Sequence, residues 1–221
     1  MDYTLVCQVT ALTHTHPLGL LGALLQAHAI RRVLAIASAS GDSAFHAIDA
    51  VRLVDNLCGD LEAADLSAFS FGRPSNFHLN ALQQYREKLN TVKKLVMQES
   101  FPTISEVVSQ LGNGEPAIEA IPTALYIFLQ CQKPMPHIPY ESLLIKCSIY
   151  SALIGNDTDT IGCMACAIAG ALVGAERIEN SSSPGDMHIP GTILGHVEGL
   201  QTINGYCDWL IQRFKTNEHC N

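Results

Sequence analysis

An all-α fold is what this sequence predicts, and three observations predict it. Apolar residues recur at helical spacing in stretches of roughly 8–25 residues, and no stretch shows the strict alternation of a half-buried strand. The stretches end at helix-stop or helix-start signals: Pro17, Thr103-Ile104-Ser105-Glu106, Gly112-Asn113-Gly114, Pro134 and Pro136. The composition is 48% apolar and only 15% charged over 221 residues, enough to bury one sizeable core. The expected organisation is a single domain over residues 1–221, without an internal repeat.

Residues 4–38 are apolar. Pro17 is tolerated in a first helical turn, so a helix begins near residue 16 and carries Leu18, Leu21, Leu24 and Leu25 towards Ile36. Residues 38–42 are expected to be a loop. A helix from Ser43 to about Leu61 follows, with Phe45, Ile48, Val51, Val54 and Leu57 or Cys58 on one face. Residues 62–75 read as irregular. A long amphipathic helix from Phe77 to Gln98 has Arg86, Glu87, Lys88, Lys93 and Lys94 as its solvated face. Thr103 and Glu106 fit a capping box for a short helix to Leu111, which the glycines at 112 and 114 end by supplying positive-φ positions. Helices over about 117–130 and 141–153 flank a Pro-rich connector, Lys133 to Pro139. Pro122 stands in the first turn of the former or kinks it. Residues 181–186 are expected to be a surface loop, and a last helix covers about 192–214.

Between the helix over about 141–153 and the 181–186 loop comes the one stretch that states some chemistry, residues 154–174. Asp157, Asp159 and Thr160 put two carboxylates and a hydroxyl within four positions, hard oxygen donors of the kind that suit Mg²⁺, Ca²⁺ or Mn²⁺. Ile161, Met164, Ala165, Ile168, Leu172 and Val173 then recur at helical spacing, with Gly162, Ala169, Gly170 and Gly174 supplying a small-residue surface. On spacing alone the acids fit a cation site or an ordinary helix cap, because Asp and Thr are favoured at helix N-termini by capping and by the dipole.

The run Gly155-Asn156-Asp157-Thr158-Asp159-Thr160-Ile161, with Met164-Ala165 and Ala167-Ile168-Ala169-Gly170-Ala171 behind it, resembles the C-terminal signature of the ADP-ribosylglycohydrolase family. Asn156 replaces the second Gly of the family's Gly-Gly-Asp-Thr-Asp-Thr-Ile, and Cys163 and Cys166 lie inside the helix. The resemblance implies an orthogonal helical bundle and metal binding by Asp157, Asp159 and Thr160. Thr10-Ala11-Leu12-Thr13-His14 and the Leu111-Gly112-Asn113-Gly114 loop are similar to the branch that removes ADP-ribose from serine. That likeness places His14 in the ADP-ribose site and Glu115, where the family more often has an apolar residue, beside the nucleotide. Read without the family, His14 is better taken as a capping or core histidine.

The implied activity is Mg²⁺-dependent hydrolysis of an O-glycosidic bond of ADP-ribose, in ADP-ribosylserine, poly(ADP-ribose) or O-acetyl-ADP-ribose. The implied partner is ADP-ribose or an ADP-ribosylated protein, in the nucleus, cytoplasm or mitochondrion. The family's other ligand cluster, a Thr-Asp-Asp-Thr segment with a glycine-rich phosphate loop, has no counterpart, and no Asp-Asp pair occurs anywhere in the chain. The expectation is therefore the C-terminal part of the family domain, holding at most one Mg²⁺, weakly, where the family holds two. Its uncovered faces would favour association. A second reading is an inactive relative that acts as a binding protein. A phosphatase-type Asp-x-Asp nucleophile is disfavoured, because Asp157 follows a helical pattern and not a strand.

The formal charge of −8, with 13 Lys plus Arg and no basic run, disfavours direct nucleic-acid binding. No apolar run is read as reaching the ~20 residues of a membrane span. The first twenty residues lack a basic segment of the signal-peptide kind. The eight cysteines, at 7, 58, 131, 147, 163, 166, 207 and 220, read as reduced thiols in apolar contexts of an intracellular protein, the Cys163-x-x-Cys166 pair included.

Overall fold

A computed structural model describes residues 3–39, 48–72, 74, 76–174, 189 and 191–217. Among these residues every regular element is helical, and no strand occurs. The order is α1 (Tyr3–Ala11), α2 (Pro17–Ala39), α3 (Ala50–Glu62), a 3₁₀ turn (Ser67–Phe69), α4 (Asn76–Val96), α5 (Ile104–Leu111), α6 (Ala117–Gln130), α7 (Leu143–Ile154), α8 (Thr158–Val173), α9 (Gly191–Leu194) and α10 (Leu200–Asn217).

The core is built on α2, α4, α6 and α8, with α1 and α3 against α2, α3 also against α4, α5 bridging α4, α6 and α7, and α7 packed on α8. Helix α6 is apolar all round, and every residue from Ala120 to Gln130 is buried, as expected of a helix enclosed by others. Pro122 falls in its second turn, and the helix runs through it. Gly22 is where α2 comes closest to its neighbours: a Cβ there would lie 2.5 Å from the Tyr85 hydroxyl and 2.6 Å from Ile121 Cδ1. Gly162 does the same for α8 on α7, with Ser151 Cβ at 3.3 Å from a Cβ built on it.

Several expected boundaries move. Residues 3–11 form a helix of their own, separated from α2 by Thr13-His14-Thr15-His16, because Pro17 disfavours helical backbone at the residue before it. The His16 ring accepts from Leu18 N at 3.2 Å and so caps α2. Ser38 and Ala39 are helical, while the rest of the expected 38–42 loop lies outside the described residues. The helix expected from Ser43 starts at Ala50, because Asp49 turns extended and accepts from Arg52 N at 3.0 Å; residues 43–47 are outside the described residues. The Thr103 cap forms, with Glu106 N donating to its hydroxyl at 3.2 Å, but the Glu106 carboxylate takes Gln98 instead of closing the box. The final helix is two, broken between Gly195 and Gly199, the latter at φ 71°. The expected 181–186 loop lies outside the described residues.

Two compositional readings are also corrected. Helix α2, 23 residues with mean hydropathy 1.4 in its most apolar window, is long and apolar enough to cross a membrane by length and composition. Here it is a core helix: Leu20, Leu21, Leu24, Leu25, Ala29 and Val33 are buried, and Arg32 pairs with Asp60 of α3. Of the cysteines, Cys7, Cys131 and Cys147 are buried and Cys58 and Cys166 half-buried, but Cys163 and Cys207 are exposed; all seven are free thiols, and Cys220 is outside the described residues.

Candidate functional site

Three segments far apart in sequence meet at one end of the bundle: the 13–19 turn before and into α2, the 112–116 loop between α5 and α6, and the 155–160 turn between α7 and α8. Each is shaped by its own residues. Helix α5 ends because Gly112 takes φ 86°, and Lys88 of α4 donates to the last carbonyls, Gln110 O at 3.0 Å and Leu111 O at 2.8 Å. Burial pulls the Lys88 ammonium below its ordinary pKa, and the nearby Glu119 carboxylate opposes that shift. Glu119 itself accepts from Gly114 N at 3.1 Å, and Thr123 donates to Gly112 O at 2.8 Å. The loop is thus anchored from α4 and from α6.

The acidic turn depends on two consecutive left-handed residues, Gly155 at φ 75° and Asn156 at φ 58°. Positive φ is ordinary for glycine and tolerated by Asn, whose short side chain bonds locally. This reversal delivers Asp157 to the first position before α8. Asp157 stands at the N-cap, yet its carboxylate makes no capping hydrogen bond. The Asp157 carboxylate is half-buried, while Asp159 and Thr160 are exposed, and among the described residues none of the three side chains has a hydrogen-bonding or ion-pairing partner. Side-chain capping is therefore not what Asp157 does. Its oxygens, with those of Asp159 and Thr160, take no partner among the described residues.

The loop and the turn are sewn together by Asn113. Its Nδ2 donates to Ile154 O at 2.9 Å and Gly155 O at 3.3 Å, and its main-chain oxygen accepts from Asp157 N at 3.1 Å. One residue further on, Gly114 is buried, and a Cβ there would lie 3.4 Å from Asn156 Nδ2. One residue beyond that, Glu115 is exposed and lines a cleft of about 480 Å³ together with Thr13, His14, His16, Gly19 and Ala117. The two residues carried over as substrate contacts, His14 and Glu115, therefore share one cleft. His14 Nδ1 lies 2.8 Å from the Thr13 hydroxyl, and Gly19 leaves room for it, since a Cβ there would sit 3.1 Å from His14 Cβ.

Asn113 is the residue that sequence reasoning missed. Set between two glycines, it reads only as a helix terminator; its partners lie about forty positions away and no local pattern announces them. Glu119, which holds the loop from α6 through Gly114 N five positions before it, was missed as well, because an acid in a first helical turn reads only as an ordinary helix start.

The donor set fits a hard divalent cation in kind. It is two carboxylates and a hydroxyl, without a competing lysine or arginine partner among the described residues. In number it fits part of a shell, three donors of the six that Mg²⁺ takes. Among the described residues no group of three or more His, Cys, Asp or Glu side chains is placed to hold a metal ion.

Comparison with known proteins gives the family of the chain. The ADP-ribosylglycohydrolase family matches residues 3–220. The chain is 39% identical over 171 residues to the ADP-ribosylhydrolase ARH3 of Bos taurus, a match covering 77% of this chain and 44% of the relative. It is 39% identical over 171 residues to that of Homo sapiens, again 77% and 44%. With the protein of that name from Danio rerio it shares 35% identity over 172 residues, covering 76% of this chain and 42% of the relative. The chain therefore spans less than half the length of the curated relatives it matches.

Proposed function

The chain belongs to the ADP-ribosylglycohydrolase family, and from that premise we propose that it acts in the Mg²⁺-dependent hydrolysis of an O-glycosidic bond of ADP-ribose. The substrate class is ADP-ribose joined to a protein serine, within poly(ADP-ribose), or to an acyl group. The observation that carries this reading is the juxtaposition around residues 113–115: the cleft shared by His14 and Glu115 is one loop away from the Asp157 carboxylate, which has no partner among the described residues.

His14 and the neighbouring Thr13 hydroxyl offer a hydrogen-bonding wall for a polar ligand in the cleft. Asp157, Asp159 and Thr160 would hold the cation; when bound, it supplies positive charge that orients ribose hydroxyls and lowers the pKa of water. Asn113 and Glu119 keep the loop and the turn in register, so that ligand and cation are presented to each other in one arrangement, and such positioning is itself a large part of catalysis. Glu115 is an acid at the cleft rim, and its charge disfavours a phosphate placed directly against it.

A second reading is favoured by the donor count. Three oxygen donors on one turn suit a weakly held ion and a protein that binds ADP-ribose without cleaving it.

One experiment separates the two. The purified chain is incubated with a serine-ADP-ribosylated peptide and Mg²⁺, beside an Asp157→Ala, Asp159→Ala double variant. Hydrolysis predicts release of ADP-ribose that needs Mg²⁺ and falls at least 100-fold in the variant, as expected on losing cation ligands. Binding of ADP-ribose by a folded chain that releases none supports the second reading.

A further inference from the structure

We infer that Asn113 is a positioning residue that couples the cation turn to the ADP-ribose cleft, so that occupancy of either one raises the affinity of the other. The inference rests on the reading of Asp157, Asp159 and Thr160 as cation donors and of the His14–Glu115 cleft as the ligand site.

The geometry is specific. The carbonyls of Ile154 and Gly155 are at the C-terminal end of α7, where helical carbonyls lose their intrahelical donors. Asn113 supplies a donor to both from one amide group. Its own carbonyl meanwhile takes the amide of Asp157, which initiates α8. A single side chain and its peptide thus close the end of one helix and fix the start of the next. Between those contacts the chain must hold Gly155 and Asn156 both left-handed. Glycine and Asn both tolerate that region, so the turn needs an outside contact to fix which of its conformations is held. Asn113 is that contact: without its donors, nothing else described holds these two carbonyls from the side of the loop.

The same residue sets the other site. From Asn113 the chain passes through buried Gly114, whose amide is held by Glu119, directly to Glu115 on the cleft wall. A movement of the Asp157 turn that tightens around a cation is transmitted to Asn113 through its three hydrogen bonds. The two-residue step to Glu115 is too short and too well anchored to absorb it. Coupling of this kind is reciprocal in binding free energy.

The test measures binding, not turnover. Mn²⁺ affinity of the 221-residue chain is measured by electron paramagnetic resonance, with and without saturating ADP-ribose. The wild-type chain is compared with Asn113→Asp, which keeps the shape but loses both amide donations, and with Asn113→Ser, which retains one donor. Thermal unfolding of each variant confirms that it folds. The expected result is that ADP-ribose tightens Mn²⁺ binding by 5-fold or more in the wild type. Asn113→Asp weakens Mn²⁺ binding by about 10-fold and reduces the ADP-ribose effect to the part that direct contact between ligand and cation supplies, well below that of the wild type, and Asn113→Ser falls between. Mn²⁺ affinity and its response to ADP-ribose unchanged in a folded Asn113→Asp chain overturn the inference. Should the wild type and the Asp157→Ala, Asp159→Ala variant bind Mn²⁺ alike, the cation reading fails first and the inference falls with it. Those two failures are told apart by which variant departs from the wild type.

Discussion

At the scale of single residues, the site is made by positions whose chemistry is plain and by one whose chemistry is not. Asp157 sits where a helix cap would be, and a capping carboxylate would have been satisfied by the amides of its own first turn. It is not satisfied that way. Glycines mark the tightest contacts. Gly22→Ala would drive a methyl group into the Tyr85 hydroxyl, which cannot retreat because it is bonded to Leu18 O at 2.7 Å. Alanine's better helix propensity recovers part of the cost, leaving a net loss of about 1–2 kcal/mol from overpacking. The expected change in thermal unfolding is a fall of roughly 2–8 °C for a domain of this size. Gly59, with open space around it, is the control: Gly59→Ala should not lower the midpoint.

At the scale of elements, α2 and α3 are joined by a partly buried ion cluster. His28 is fully buried, stacks on Tyr3 of α1 at 4.7 Å, and puts Nδ1 2.9 Å from Asp60 Oδ2. Asp60 also takes Arg32 through both oxygens, at 2.5 and 2.7 Å, with Arg31 at 3.6 Å. Burial lowers the His28 pKa, with Asp60 opposing and the two arginines assisting. Burial raises that of Asp60, but the Arg32 hydrogen bond and the surrounding positive charge outweigh it and hold the carboxyl below its ordinary value. Both shifts have the same sign for stability. Below about pH 6.5 the unfolded chain takes up a proton on this histidine that the folded chain refuses until its lowered pKa is reached, so stability falls across that window. The Asp60 contribution is present above the unfolded carboxyl pKa and is lost as pH falls through the lowered folded value. Urea unfolding should therefore show a lower midpoint at pH 5 than at pH 7.5. Asp60→Asn should cost about 1–3 kcal/mol at pH 7.5 and flatten the acid limb below about pH 4.

At the scale of the whole molecule, the bundle and its last helix are unequal. Helix α10 packs extensively against none of the other described helices. Ile203, Leu210 and Ile211 share one face of it and are about half exposed, with Tyr206 and Trp209 beside and behind them. The core, by contrast, is a single cluster running from Cys7 to Val173. A chain ending at Gly199 is therefore expected to unfold within about 2 °C of the full chain, since little apolar area removed from water is lost with α10. A larger drop in the melting midpoint would mean that α10 is packed in solution.

Most of the architecture was determined by the sequence itself. Helix period, the caps at Thr103 and Gly112, and the small-residue helix after Asp157 are local properties, set by residues three or four apart, and the all-α class follows from them. The composition of the acidic turn was equally legible, because Asp157, Asp159 and Thr160 are neighbours in the chain. Boundaries near Asp49 and Gly199 were less so, since one side-chain cap or one glycine shifts them. What only the tertiary structure decided is the relation between the parts. That Asp157 leaves its own helix uncapped, that His14 and Glu115 share a cleft, and that Asn113 ties that cleft to the acidic turn are outcomes of packing α2, α6, α7 and α8 together. Contacts between residues forty to a hundred positions apart carry no local periodicity, and only the folded core brings them within hydrogen-bonding distance.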